Sequence, residues 1–551
     1  MTDAEMATSA PTTTAKKGWL ALVALATAQF VMVLDQSVMN VSISSLVKDF
    51  NTTVTTIQAV ITLYCLVMAM LMMTGAKIGD MIGRRKAFVI GLIIYACGSA
   101  LTAVSQSVFT LALGWSVLEG IGAALVLPAL AALIAGNFEG ARRKVAYAII
   151  GGVAGAGIAI GPILGGWATT NVTWRIVFVG EVLLVAFILI MTPKVGDASR
   201  PGPAPKLDYI GSVLSAAGLG VFVFGVLESS TWGWVKPKNS PITIFGFSLT
   251  LFVMAAGGVL IWGFVTWQRH REGVHRDPLV HLSLARVPTV RSGLIGLFSQ
   301  NLILMGVFFV IPLYLQLVLG LSALETGIKM LPVSITMLLT SAIGSRLSNR
   351  FAVRTIVRSG LIVTIAGALI LLSTIKPTLS NAGFALGMGV LGIGMGLMVS
   401  QLGNVVQSSV EESGRSEAGG LQYTGQQLGS SLGVALIGAI VLIGLTSTFI
   451  SNIEKDTRIT SEVAAQVSVA AGNNTNFVAA DEVRSAATKA GLDSASTTAL
   501  VEDYEAAQLR SLKAGLLAAG LLALISLGFT RELPHDRPTP KKREPDSQLA
   551  A

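Results

Sequence analysis

Charge is what this chain has least of. Only 13% of its 551 residues are Asp, Glu, Lys or Arg, against 52% hydrophobic, a balance that excludes an ordinary soluble domain. Cysteine is almost missing: Cys65 and Cys97 both lie in apolar runs and read as small buried hydrophobes, which excludes a disulfide framework. Histidine is nearly as rare. His270, His275 and His281 fall in one polar linker and His535 in the tail, and their spacing matches no standard metal site. No HExxH or CxxC pattern occurs, so neither an enzyme nor a cofactor is expected. No removable leader is expected either, because the apolar run after Lys16 and Lys17 is too long for a signal h-region.

What the chain does have is long apolar runs. Windows of about 20 residues, each enough to cross roughly 30 Å of hydrocarbon, recur fourteen times, the first over 19–43, the fifth over 145–168 and the last over 512–530. Lipid offers backbone groups no partners, so these runs must be helices. The 59 glycines suit closely packed spans. Placing both termini in the cytoplasm puts most of the 39 Lys and Arg on that side, as the positive-inside rule requires. The net charge of +9 and the basic clusters at 84–86, 142–144 and 541–543 then reflect topology and contact with membrane lipids rather than nucleic acid.

An internal repeat organises the spans. "GAKIGDMIGRRK" from Gly75 realigns with "GSRLSNRFAVRT" from Gly344, matching Lys77 with Arg346, Asp80 with Asn349 and Arg85 with Arg354. Each copy lies between the second and third spans of its half, as in a duplicated six-helix unit. The expected order is a cytoplasmic tail over 1–18, an N-terminal six-helix bundle over 19–192, two inserted helices over 208–267 and a cytoplasmic linker over 268–291. A C-terminal six-helix bundle over 292–530 then holds an outer loop at 451–510, before a tail over 531–551. Residues 455–505 read as too polar for the membrane core and as dispensable for folding.

Against this background a few side chains stand out. Asp35 is the lone ionisable group in "AQFVMVLDQSVMNVSI". A carboxylate at mid-bilayer costs about 2.5–3.5 kcal/mol on insertion scales, so it needs a partner, water or a task. Glu119, in "GWSVLEGIGAALVLP", is expected at a similar depth. Sharing a cavity, the two acids would exchange protons or cations; the alternative is a neutral acid bonded to neighbours such as Gln36 or Ser116. Glu181 is expected nearer the outer surface, as a site residue or paired with Arg175. Gln36, Asn40, Gln300 and Asn301 complete the candidate cavity lining, and no mid-span acid occurs in the C-terminal half. At the end of the second span, Asp80, Gly83, Arg84 and Arg85 can form a latch in which Asp80 caps a helix or pairs with a basic side chain. In the fifth, Gly157, Gly161 and Gly165 share one face, beside Gly166, while Pro162 removes a backbone donor.

Three of these stretches, "LDQSVMNVSI", "GDMIGRRK" and "GIAIGPILGG" followed by "WRIVF", resemble in order and position the motifs of the major facilitator superfamily, within it the 14-helix drug:proton antiporters. The resemblance covers nearly the whole chain apart from the tails and the outer loop. It implies an all-α polytopic protein of the cell inner membrane, acting as a monomer on amphipathic, cationic compounds and driven by the proton gradient with no cofactor. Asp35 and Asn40 take the family's first-helix positions. The fourth helix departs from the pattern: Ser116 stands where an arginine is usual and Glu119 where a glutamine is. Ala76 and Met81 likewise replace a glycine and an arginine. Two other readings stand: an exporter or flippase of a lipid or lipid conjugate, and a non-transporting sensor or scaffold using the outer loop.

Overall fold

A computed structural model describes residues 12–138, 140–197, 205–410, 414–473 and 476–535. Most of the N-terminal tail and the cluster at 541–543 lie outside the described residues. Fourteen of the described helices are long and apolar enough to cross a membrane. They are α1 Trp19–Val41, α2 Val54–Ile82, α3 Arg84–Ala103, α4 Val108–Asn137, α5 Ile149–Asn171, α6 Arg175–Lys194 and α7 Tyr209–Trp232. The series continues with α8 Leu249–Gly273, α9 Pro288–Val318, α10 Ala323–Leu347, α11 Val353–Thr374, α12 Asn381–Ser408, α13 Glu417–Ile453 and α14 Ser494–Glu532.

Local chemistry sets their ends. Thr53 caps α2 by accepting from the Thr56 amide at 3.1 Å, and Ser322 with Glu325 forms a reciprocal capping box at the start of α10. Gly83 links α2 to α3 at φ 98°, a conformation that side-chain-bearing residues rarely adopt. Asp493 accepts from the Ala495 and Ser496 amides and starts α14 at Ser494, well before the apolar run at 512 from which this helix was expected to begin. The loop expectation changes with it: residues 494–505 are the first turns of α14, and Ser461–Asn473 and Ala480–Lys489 are short helices. Phe477 is buried there, and Asn476 accepts from the Val54 amide, fastening the segment to the start of α2. The fifth span is also displaced, ending at Asn171 rather than 168.

The helices form two six-helix bundles, α1–α6 and α9–α14, with α7 and α8 inserted between them in the chain. The inserted pair packs through glycines: a Cβ on Gly257 would meet Phe222 backbone at 2.5 Å, and one on Gly225 would meet Met254. Asp208, buried at the start of α7, ties the pair together by accepting from the Gly211 amide, Trp267 and Gln268. Burial works against its charge, but those donors and Arg271 prevail and hold its carboxyl below the usual carboxylate range.

The bundles meet along two seams, α5 with α10 and α2 with α13. The end that carries 454–493 is called the loop end here, and the opposite one the termini end. At the loop end the halves are stitched by the Leu324 amide donating to Thr170 Oγ1 at 3.1 Å and Gln316 Nε2 donating to the Val41 carbonyl at 2.9 Å. Toward the termini end, a Cβ on Gly151 or Gly152 of α5 would meet nothing within 4 Å, while Gly420 of α13 lies against Ala76 and Met73 of α2. The structure is therefore closed at the loop end.

Candidate functional site

Three acids from three helices converge inside the N-terminal bundle. Asp35 of α1 and Glu119 of α4 are 0% exposed and Glu181 of α6 is 1% exposed. One carboxyl oxygen from each lies within 4.8 Å of those of the other two. At 1.5 Å per residue, Asp35 and Glu181 sit about 9 Å from the loop-end termini of their helices. Glu181 thus lies toward the loop-end surface, as expected, and Asp35 lies level with it rather than at mid-helix. Arg175, the expected partner of Glu181, instead pairs with Asp49 at 2.5 Å and donates to the Ser105 carbonyl.

The fourth helix is not a plain α-helix where it carries its acid. Residues Ala112–Glu119 form a π-helical stretch, and such widened turns commonly mark functional positions. Trp115, on the same stretch, donates from Nε1 to Asp35 Oδ1 at 2.8 Å, and its ring lies parallel to that of Tyr64 with centroids 4.6 Å apart. Glu119 accepts from Thr102 at 3.4 Å, whereas Ser116 donates to the Val60 carbonyl and Gln36 to Gln427. Neither Gln36 nor Ser116, the neighbours expected to bond Asp35 or Glu119, does so. Glu181 accepts from Tyr95 and Ser99 of α3 at 3.3 and 3.2 Å. Close approach of α3 and α4 makes this possible, since a Cβ on Gly98 would stand 2.7 Å from both Glu119 Cγ and the Gly114 carbonyl oxygen. All three acids are buried within the bundle.

The amides fall elsewhere. Asn40 donates to the Gln36 carbonyl, while the Gln36 side chain reaches across to Gln427 of α13 at 3.1 Å. Gln300 and Asn301 donate to the Met395 and Leu297 carbonyls of the C-terminal bundle and share no described hydrogen bond with the acids. Sequence reading missed Trp115, Tyr64, Tyr95, Ser99 and Thr102. Their one outward signal is proximity to an acid in the chain, which only Trp115 has.

The fifth helix packs as its glycine spacing suggests. Cβ atoms on Gly157, Gly161 and Gly165 would press on Val33, Ser37 and Val38 of α1. Gly166 instead faces α10, where its Cβ would lie 2.4 Å from the Ala323 carbonyl oxygen, and Gly327 of α10 lies against the Pro162 carbonyl. At the termini end, Asp80 pairs with Arg84 at 3.2 Å, the Arg85 amide donates to Asp197, and Gly83 sits against the same Asp197 carboxylate. Lys77 donates to the Pro278 carbonyl at 2.9 Å, and His281 pairs with Glu417 at 2.9 Å, so the linker is held by both bundles. His281 is thus a tethered linker residue.

The sequence profile of the Major Facilitator Superfamily matches residues 25–434. The chain is 29% identical over 429 residues to the tetracenomycin C resistance and export protein of Streptomyces glaucescens, covering 77% of this chain and 76% of that one. It is 27% identical over 531 residues to the multidrug efflux pump LfrA of Mycolicibacterium smegmatis, covering 95% and 99%. Among solved structures, a bacterial homologue of the human lysosomal transporter Spinster superimposes with a TM-score of 0.59 at 16% identity over 95% of this chain and 99% of that one, a likeness of fold.

Proposed function

This chain belongs to the major facilitator superfamily and is a multi-pass membrane protein, and from that premise we propose that it exports amphipathic, cationic drugs or toxic compounds in exchange for protons. The observation that carries the proton part is the convergence of Asp35, Glu119 and Glu181 in one buried site. Like charges buried this close together raise the cost of one another's ionisation, so protons neutralise the cluster at least in part. Opening the loop end would give them access to protons outside the cell; opening the termini end would let drug enter from within. One charge moving down 100 mV supplies about 2.3 kcal/mol, enough for one proton per cycle to drive accumulation. The names of the relatives support drug export as the task. In this reading the chain lies in the cell membrane with both termini cytoplasmic, acts as a monomer among lipids, needs no cofactor and performs no catalysis.

The test is export of a panel of lipophilic cations from cells that make or lack the protein, with and without a protonophore. Protonophore-sensitive resistance is the expected result. Export of lipid conjugates with no effect on any cation would replace the drug reading with the lipid one, and transport of neither would leave a sensor.

A further inference from the structure

The linker between α8 and α9 crosses the termini end as a short strap, residues 277–282, and α8 holds it most firmly. Arg271 donates from Nη2 and Nε to the Asp277 carbonyl at 2.6 and 3.1 Å, Gln268 accepts from the Leu279 amide at 2.8 Å, and Glu272 accepts from the Leu282 amide. Gln268 in turn donates to Asp208 at the start of α7, and the Lys206 amide donates to the Asp277 carboxylate at 3.1 Å. The inserted pair thus grips the main chain of the strap. Toward the two bundles the hold is thinner. The strap reaches α2 through Lys77, which donates to the Pro278 carbonyl, and α13 through His281, which pairs with Glu417. Leu279 and Val280 are buried beside Met73 of α2, Phe264 of α8 and Leu421 of α13. A small cavity lined by Lys77, Asp80, Val280 and Glu417 remains beneath them, so this seat is not close-packed. α7 itself packs against both α2 and α13, which sets the inserted pair astride that seam.

We propose that the strap is a bolt: carried by the inserted helices, it holds α2 to α13 at the termini end and lets go of α13 when that end opens. The weakest tie identifies the partner released. Lys77 is 6% exposed, so loss of the Pro278 carbonyl would strand a buried donor. The His281 side chain is half exposed, and water replaces a partly exposed pair at little cost. The break therefore falls between His281 and Glu417, while the main-chain bonds to α8 persist. This gives α7 and α8, which stand outside the duplicated six-helix plan, a task in the opening of the termini end. The inference rests on the proposed export only for its transport readout.

The experiment uses the full chain with exposed Cys97 replaced by serine and a short, cleavable, bifunctional thiol reagent. One link joins the strap to α13, His281→Cys with Glu417→Cys; the other joins it to α8, Leu282→Cys with Glu272→Cys. Linking to α13 should lower energised efflux of a lipophilic cation at least fivefold, and cleaving the link should restore it. Linking to α8 should leave efflux within twofold. A second readout needs no cross-link. Spin labels on cysteines at Ile82 of α2 and Ser408 of α12, both exposed at the termini end, should show at least a twofold larger long-distance fraction in His281→Ala than in the parent. Unchanged efflux with the strap fully linked to α13, an equal loss on linking it to α8, or parent-like distances in a folded His281→Ala protein would overturn the inference. The distances also separate it from the export reading: longer distances in a protein that exports no cation support the bolt and overturn only drug export. Export with parent-like distances overturns only the bolt.

Discussion

Gly327→Ala is the most telling perturbation of the closed seam. The added Cβ would lie 2.1 Å from the Pro162 carbonyl oxygen and 2.7 Å from its carbonyl carbon. Both are backbone atoms, so no side chain can rotate away. Restoring an ordinary contact of 3.4 Å requires α5 and α10 to part by 3.4 − 2.1 = 1.3 Å. Parting them also loosens the adjacent contact of Gly166 with Ala323 and the hydrogen bond from the Leu324 amide to Thr170. Overpacking of this kind costs about 1–3 kcal/mol. The cost falls on the state in which the seam is closed, since an arrangement with the loop end open has no such contact. A differential of that size shifts a two-state ratio about 5- to 150-fold.

The assay is a distance distribution between spin labels on cysteines at Val172 and Ile328, both exposed near the loop end, with exposed Cys97 replaced by serine. Gly327→Ala should enrich the longer distances. Gly389→Ala, whose Cβ would meet Thr336 at an ordinary 3.7 Å, should leave them alone. A parent-like distribution in a Gly327→Ala protein of parent-like thermal stability would refute the seam as the element that closes this end.

Three further outcomes are expected. Trp115→Phe removes the donor from Asp35 Oδ1 and should lower stability by about 1–3 kcal/mol, seen as earlier thermal unfolding in detergent. Asp80→Asn breaks a partly exposed pair with Arg84; it should slow transport while stability moves by no more than about 0.5 kcal/mol, checked by transport rate per inserted protein. His281 is raised above the usual histidine range by its hydrogen bond to Glu417, with burial and Lys77 opposing and Glu272 assisting. The linker tether should therefore be fully present below about pH 6.5 and weaken as pH rises through the raised value. Amide exchange at Leu279 and Val280 should accelerate over that range in the parent and show no such step in His281→Ala.

The fold was legible because its physics is one-dimensional: a helix must be apolar for about 20 residues to cross hydrocarbon, and the chain shows that pattern directly. Where polarity mixes with helical propensity the pattern fails, as at Ser494–Leu512, which is helical because Asp493 caps it and Tyr504 packs beneath the loop segment. Asp35 and Glu119 were legible as costly anomalies. The convergence of Glu181 with them was hidden because it depends on how α6 rotates against α3, where Tyr95 and Ser99 supply its partners. The π-helical turn that turns Trp115 toward Asp35 leaves no mark in residue spacing. Gln58, Gln316 and Gln427 were missed for a related reason. Each bridges the bundles through a partner distant in the chain, the Val434 carbonyl, the Val41 carbonyl and Gln36.

The central claim is that a buried carboxyl on the first helix exchanges its proton as drug binds. Asparagine at 35 would be nearly isosteric, still accept from Trp115, and bury at lower cost, so Asp35→Asn should insert and fold as well as the parent. The direct measurement is proton release on adding a lipophilic cation to purified, detergent-solubilised protein. The account expects release from the parent and its loss in Asp35→Asn; release of the same amount from both would contradict it and leave Asp35 a structural hydrogen-bonding group.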